Sequence, residues 1–355
     1  MTERSTQLRD TVLTLAGIGV LFAILRLSAE IVVPFLLSLF IATVAATPLA
    51  WLKRRGLSTM LSVVAVLLAI IIVMGGISML LAGTATEFND ALPGYQERLK
   101  EVTGKSYAWL SSKDLNVDEV GLSKIIDPSA VFGFANSMFA GIRGTLSYIL
   151  LIIFTTTFML AETAGFQRKL AAIDSKEGSD GDTLQSMAAI ARSLNRYVGA
   201  KAIVSLATGV LVWIALELVG LDFAPLWGVL AFLLNFVPNI GSILAAVPAV
   251  LIAVLQLPPP MVVVVIAIYL TVNLTIGNVI EPMVMGQRVG LSTLTVFLSL
   301  IFWGWMFGAV GMLLSVPLSM VVKSIAETNA QTHWFAVLMG PVPPVEEGRD
   351  DEAAE

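Results

Sequence analysis

The chain has 355 residues, 57% of them hydrophobic and 13% charged, with a mean hydropathy of +0.86. Soluble domains carry about 25% charged residues, so this composition excludes a water-soluble globule and points to an integral membrane protein. The net charge of −5 owes much to the acidic, Pro-bearing tail Pro341–Glu355, and the lack of cysteine with a single histidine, His333, excludes disulfide frameworks, thiol catalysis and Cys/His metal sites.

Apolar runs fall at residues 11–28, 31–51, 58–82, 144–163, 198–219, 224–256, 259–280 and 291–322, the sixth and the last interrupted. The first run is followed by Arg26 and Glu30 and at once by another apolar run, so it reads as a retained helix rather than a cleaved signal. Lys53-Arg54-Arg55 follows the second run, and Arg168, Lys169, Lys176, Arg192, Arg196 and Lys201 cluster after the fourth. Positive charge favours the cytoplasm, which places both loops and the N-terminus inside the cell. Lys201 is expected to snorkel toward that face, and Glu162 and Glu217 to sit at helix ends near headgroups.

Residues 84–136 then lie outside, where eight acids outnumber Arg98, Lys100, Lys105, Lys113 and Lys124. Leu92, Tyr95, Leu99 and Val102 follow helical spacing, and Asp127-Pro128-Ser129 marks a helix start; two or three short amphipathic helices are expected. The stretch Asp174–Asp182 is rich in Asp, Gly and Ser, but the twelfth position from Asp174 is Gln185, so it fails as a calcium loop and reads as a solvated turn.

Phe223–Ile280 contains no charged residue or histidine. As one helix it would measure roughly 87 Å, nearly three bilayer cores, so it must break and cross or dip more than once. Asn235-Phe236-Val237-Pro238-Asn239-Ile240-Gly241 is the first break. Pro238 removes a helix hydrogen bond and Gly241 tolerates most backbone angles, while Asn235 and Asn239 can satisfy freed backbone groups. A Pro kink and a re-entrant hairpin or discontinuous helix both fit. The second break carries Asn273, Asn278, Glu281, Pro282, Gly286, Arg288 and Gly290. A carboxylate at membrane depth needs a partner or a place near the interface, and a bend here could bring Arg288 to Glu281. Two Pro/Gly-interrupted apolar segments in one half of a membrane chain point to a transporter's central site. In the last run Gly304 and Gly308 have small-xxx-small spacing, and with Gly311 they suggest close helix packing.

The expected fold is an all-α integral membrane protein of about eight transmembrane helices, with re-entrant or discontinuous segments and a small helical extracytoplasmic region. Residues 1–82 would supply the first three helices, 83–140 the extracytoplasmic region, and 141–197 the fourth helix with a cytoplasmic loop. Residues 198–325 would form the transport core, and 326–355 a cytoplasmic, partly disordered tail. An intramembrane aspartyl protease needs two membrane aspartates and only Asp222 is a candidate, so no enzyme is expected. No cofactor, resident metal or nucleic acid is implied.

Gly277-Asn278-Val279-Ile280-Glu281-Pro282, then Gly286, Leu291 and the string FWGWMFGAVGMLLSVPL from Phe302 to Leu318, resemble the signature of the autoinducer-2 exporter family of prokaryotic permeases. Pro238-Asn239-Ile240-Gly241 with Pro248, and Phe158 to Glu162, match it too; Thr293 stands where the family often has Pro. The resemblance implies an eight-span inner-membrane transporter with re-entrant elements, a homo-oligomeric, pentameric assembly and an elevator-like movement. It further implies export of autoinducer-2 or sodium(lithium)/proton antiport.

On that basis Asn235, Asn239, Asn273 and Asn278 would line a polar pathway for a small polar solute or a monovalent cation. Pro238, Gly241, Pro282, Gly286 and Arg288 would shape it, and Glu281 would orient the break or carry a proton, since burial favours a neutral carboxyl. A non-transporting membrane scaffold is the remaining alternative.

Overall fold

The computed structural model describes residues 2–111, 148–162, 182–238, 240–285, 290–329 and 331–342. Among the described residues every regular element is helical. Lipid imposes this, because a helix satisfies its own backbone whereas an open strand edge cannot. Large apolar side chains point outward, with Phe158 70% and Leu218 83% exposed. That pattern inverts the one found in water and suits a hydrocarbon surround. The chain is an all-α, multi-pass membrane protein. Segments long and apolar enough to cross a bilayer are Ala29–Arg54, Thr59–Phe88, Ala188–Val219, Pro259–Val284 and Thr293–Leu313.

Helix α1 (Thr2–Leu27) turns at Ser28 into α2 (Ala29–Arg54). Ser38, one turn after Pro34 in α2, links α2 to the helix packed on it. Its hydroxyl reaches the carbonyls of Pro34 at 2.7 Å and of Ile152 at 3.3 Å, the latter on α4 (Ile149–Glu162). Between them α3 (Thr59–Ser111) runs unbroken for 53 residues, about 80 Å. This differs from the short amphipathic helices read from residue 84 onward. The third span simply continues past the membrane core, and the Pro93-Gly94 pair, a turn signal in the sequence, is accommodated within the helix. The side chains of Leu92, Leu99 and Val102, the Asp127-Pro128-Ser129 start and the Asp174–Gly181 turn lie outside the described residues.

Helix α5 (Asp182–Val219) packs closely on α6 (Ala224–Leu234). A Cβ on Gly209 would stand 2.7 Å from the carbonyl oxygen of Gly228, so only paired glycines permit this approach. Helix α6 and α7 (Ile240–Gln256) are about 16 and 25 Å long, each short of the roughly 30 Å core. They form a re-entrant hairpin, because their outer ends meet. The Gln256 amide accepts from the Asp222 backbone N–H at 2.8 Å and donates to the Gly220 carbonyl at 2.9 Å and the Asp222 carboxylate at 3.0 Å. Of the two readings of the first break, this geometry selects the hairpin.

The far half of α3 straps this mouth. The Tyr95 hydroxyl donates to the Asp222 carboxylate at 2.7 Å, and Arg98 donates to the carbonyls of Leu255 (3.2 Å) and Gln256 (3.3 Å). Burial raises the Tyr95 pKa well above the ordinary phenol range, and its hydrogen bond to Asp222 and that carboxylate's charge push the same way, against Arg98. The phenol therefore stays a donor. Phe223, at the head of α6, has φ 61°, a left-handed conformation rare outside glycine, and its ring packs edge-on against Phe88 at 5.8 Å.

Helix α8 (Pro259–Thr275) continues through a π-turn (Ile276–Ile280) into α9 (Glu281–Met285). Helix α10 (Thr293–Leu313) does not cross as a straight rod. Gly308 has φ 64° and ψ −145°, and the chain folds back there toward α11 (Ser315–Thr328). Ser319 accepts from the Trp303 indole at 3.0 Å and donates to Ser299 at 2.6 Å across the two arms. Gly308 is thus a reversal, with open space around it, rather than part of a packing stripe; Gly304 and Gly311 face the opposite arm. This second hairpin opens toward the other end of the bundle. Thr47 near the end of α2 lies against Gly199 of α5, so α2 begins at the Asp222 end. Arg26, just before α2, sits 4.3 Å over the Trp305 ring near the Gly308 tip. At the base, the Ser292 N–H reaches the carbonyl of Met339 at 2.8 Å, in α12 (His333–Met339).

Both hairpins close by one device. A Cβ on Gly241 would fall 1.8 Å from the Leu234 carbonyl oxygen, and one on Gly311 would fall 1.8 Å from that of Trp303. We expect Gly241→Ala and Gly311→Ala each to lower stability by about 1–3 kcal/mol or more through overpacking, read as thermal unfolding of purified protein in detergent. Gly75→Ala, whose Cβ meets nothing within 4 Å, serves as the neutral comparison. Tyr95→Phe is expected to cost about 1 kcal/mol in the same measurement, the value of one hydrogen bond.

Candidate functional site

The first hairpin ends in a tight turn. The amides of Phe236 and Val237 reach back three residues to Leu233 (3.3 Å) and Leu234 (2.8 Å), and Ile240 donates to Pro238 at 2.6 Å. These bonds satisfy backbone that Pro238 would otherwise orphan. The tip is held on two sides. The Asn235 amide donates to the Ser205 hydroxyl of α5 at 2.9 Å, and the Phe236 ring meets Phe40 of α2 edge-on at 5.2 Å. Ser205 lies fourteen residues before Val219, so the tip reaches about 21 Å into the layer.

Beneath it is a cavity of about 20 Å³ lined by Thr208, Asn235, Ser242, Tyr269 and Asn273, with apolar walls from α5, α6, α7 and α8. A volume of that size holds about one water molecule or bare ion. Tyr269 lines this space, and its hydroxyl is buried with no hydrogen-bond partner among the described residues. An orphaned buried hydroxyl costs about 1–3 kcal/mol, so it marks a place where another molecule belongs.

Farther from the Asp222 end, Lys201 donates to the Glu281 carboxylate at 2.6 Å, with the two side chains 5% and 26% exposed. The Lys201 ammonium therefore turns inward instead of snorkelling to a surface. Glu281 has found its partner on α5, eighty positions away in sequence, where the sequence suggested Arg288. The reason is the π-turn. Lys201, Ser205, Thr208 and Val212 repeat every three or four residues on one face of α5, as do Tyr269, Asn273 and Ile276 on α8. A regular helix would leave Glu281 about 100° off that face. The wider turn, in which the Glu281 N–H bonds to Ile276 five residues back, inserts one extra residue and restores the alignment.

Of the expected pathway residues, Asn235 and Asn273 line the cavity, Asn273 at its exposed rim. Pro238 and Gly241 shape the hairpin tip. Asn278 does not join them: it is exposed and falls on the opposite face of the α8 rod from Tyr269. Pro282 is exposed in α9, just after the π-turn that relieves its missing N–H. Asn239, Gly286 and Arg288 lie outside the described residues. Sequence reading missed Tyr269, Ser205, Thr208 and Ser242. Their signal was the coincidence of small polar groups at helical spacing with Lys201 and Asn273, visible only once α5 and α8 are paired. No group of three potential metal ligands occurs among the described residues.

Removing one partner of a buried pair leaves the other charge stranded. Glu281→Gln and Lys201→Gln should each lower stability by about 3 kcal/mol, less for Lys201→Gln, which strands only the part-exposed carboxylate, measured by thermal unfolding in detergent.

The profile of the AI-2E family transporter matches residues 12–331. A relative in Haemophilus influenzae is 36% identical over 96% of this chain and 99% of its own length. YhhT of Escherichia coli K12 is 36% identical over 93% of each chain. Both are provisionally named transport proteins. The AI-2 transport protein TqsA of Escherichia coli K12 is 35% identical over 92% of this chain and 94% of its own. With re-entrant hairpins, a cavity edged by polar side chains at membrane depth and near-complete coverage by these relatives, the chain belongs to the AI-2E family of membrane transporters.

Proposed function

We propose that this protein moves a small polar solute of the autoinducer-2 type across the cytoplasmic membrane, using the cavity under the first hairpin as its binding site. The observation that carries the reading is the buried Tyr269 hydroxyl, unpartnered among the described residues, beside a cavity edged by polar side chains midway through an otherwise apolar layer. Asn235, Asn273, Ser242 and Thr208 offer donors and acceptors to a hydroxylated, uncharged solute, and no full charge lines that space. The name of TqsA supports the choice of solute. The positive-inside rule supports placing the Lys201 end in the cytoplasm, since Lys53 and Arg54 close α2 at that end. The family resemblance supports a homo-oligomer, pentameric in form, embedded in the inner membrane. Proton coupling would act through Glu281, and protonation there would dissolve its pair with Lys201.

Monovalent cation/proton antiport is the second reading. The cavity volume favours it, because about 20 Å³ suits a bare cation better than an intact organic solute in this conformation.

The test is flux into proteoliposomes of purified protein under an imposed pH gradient, with autoinducer-2, sodium, lithium and small polar metabolites as cargo. Organic flux that falls in Glu281→Gln supports the solute reading with coupling at Glu281. Equal flux across pH in that variant, at equal protein content, ends the coupling role. Cation-dependent collapse of the gradient without organic flux supports the antiporter. No flux of any cargo, with surface-loop changes but not hairpin changes affecting cells, supports the scaffold.

Tyr269→Phe should lower apparent affinity for the transported species about tenfold, one hydrogen bond's worth. Thermal stability should stay level or rise, because the variant deletes an unsatisfied buried hydroxyl.

A further inference from the structure

The cavity, the tip and the ion pair are parts of one column. Along α5 the order is Thr208 at the cavity, Ser205 holding Asn235, and Lys201 one turn farther on. Seven residues separate Thr208 from Lys201, about 10 Å along the axis. Along α8 the matching order is Tyr269, Asn273, then Glu281 after the π-turn. The pair joins the two sides of the column at 2.6 Å, Lys201 from α5, which flanks the cavity, and Glu281 from α9, the continuation of cavity-lining α8 beyond the π-turn.

We propose that Lys201 and Glu281 are a gate across this column, with Lys201 the positioning residue that holds Glu281 over the end of the cavity remote from Asp222. The proposal rests on the transport reading of that cavity. While the pair is closed, the column carries no net charge and α5 is pinned to α9. Parting the two groups in a low-dielectric surround is unfavourable unless water reaches both. Opening and wetting are therefore a single event. The gate admits solvent as it releases cargo and stays dry when shut. The π-turn is what makes the device possible, since a regular helix would direct the carboxylate away from Lys201.

The chain has no cysteine, so Thr208→Cys gives one thiol inside the cavity of an otherwise unreactive protein. The rate of its modification by a small cationic methanethiosulfonate reagent is measured on full-length purified protein in detergent. Four backgrounds are compared: the parent, Lys201→Gln with Glu281→Gln, Lys201→Met with Glu281→Met, and the exchanged pair Lys201→Glu with Glu281→Lys.

Modification should be slow in the parent and about tenfold faster in the Gln/Gln background, as expected when opening becomes easier by about 1.4 kcal/mol. The exchanged pair should return it to within about twofold of the parent. The Met/Met background should stay slow, because an apolar plug needs no partner, yet it should lose flux. Thermal unfolding of each variant separates a folded, open column from a damaged protein. If Gln/Gln reacts no faster than the parent while folded, or the exchanged pair reacts as fast as Gln/Gln, the gate is wrong. This readout needs no cargo. Absence of flux for every cargo would overturn the transport reading by itself, while the labelling rates would still decide the gate.

Discussion

Lipid offers no hydrogen bonds, so each interruption of a helix and each charge inside the layer must be answered by the protein itself. That constraint organises everything between Gly220 and Leu318. Where Pro238 breaks the first hairpin, short backward bonds from Phe236 and Val237 close the turn. Where Ser38 sits against α4, its hydroxyl is spent on two carbonyls. Where a carboxylate ends the long uncharged run, an ammonium from α5 meets it at 2.6 Å. Against this thorough accounting the Tyr269 hydroxyl is conspicuous, being a buried group left unanswered among the described residues.

The two hairpins use the same local solution from opposite ends of the bundle. Each returning arm places a glycine against a carbonyl oxygen of the descending arm, Gly241 on Leu234 and Gly311 on Trp303. Each then carries a proline six or seven residues on, Pro248 and Pro317. They differ in what holds them. The first is fastened at its mouth by Asp222, Gln256, Tyr95 and Arg98, with a left-handed Phe223 beside the clasp. The second is touched near its tip by Arg26 over Trp305 and at its base by the Ser292 N–H on the Met339 carbonyl. The side-chain clasp at the first mouth both closes that hairpin and ties it to α3.

Much of this was legible from the chain. Charge-free length between Phe223 and Ile280 required breaks, and Pro238 with Gly241 located the first of them. Glu281 stood out because a carboxylate in such surroundings needs an explanation. What escaped was relational. Small polar residues such as Ser205 and Thr208 look like ordinary helix-packing residues until the opposing face is known. Lys201 looked like an edge residue because sequence distance from the nearest loop is a poor guide to the direction of a long side chain. The length of α3 was hidden as well: its far half has the polarity of a surface helix, and nothing in composition says that it is continuous with the span before it. The partner of Glu281 could not have been named from spacing alone, since regular helical periodicity gives the wrong face.

That last point bears on how such a chain can change over generations. The five residues from Ile276 to Ile280 act as a phase shifter in an otherwise regular rod. Hydropathy, length of the apolar run and every residue type at the site would survive if the same residues wound as a regular helix. The carboxylate would nevertheless turn away from its ammonium by about 100°, and two charges would be stranded in oil. Substitutions in this stretch are constrained only mildly by what each side chain touches. Winding and residue count are constrained together: a one-residue deletion that also straightened the turn would keep the face, whereas either change alone would lose it.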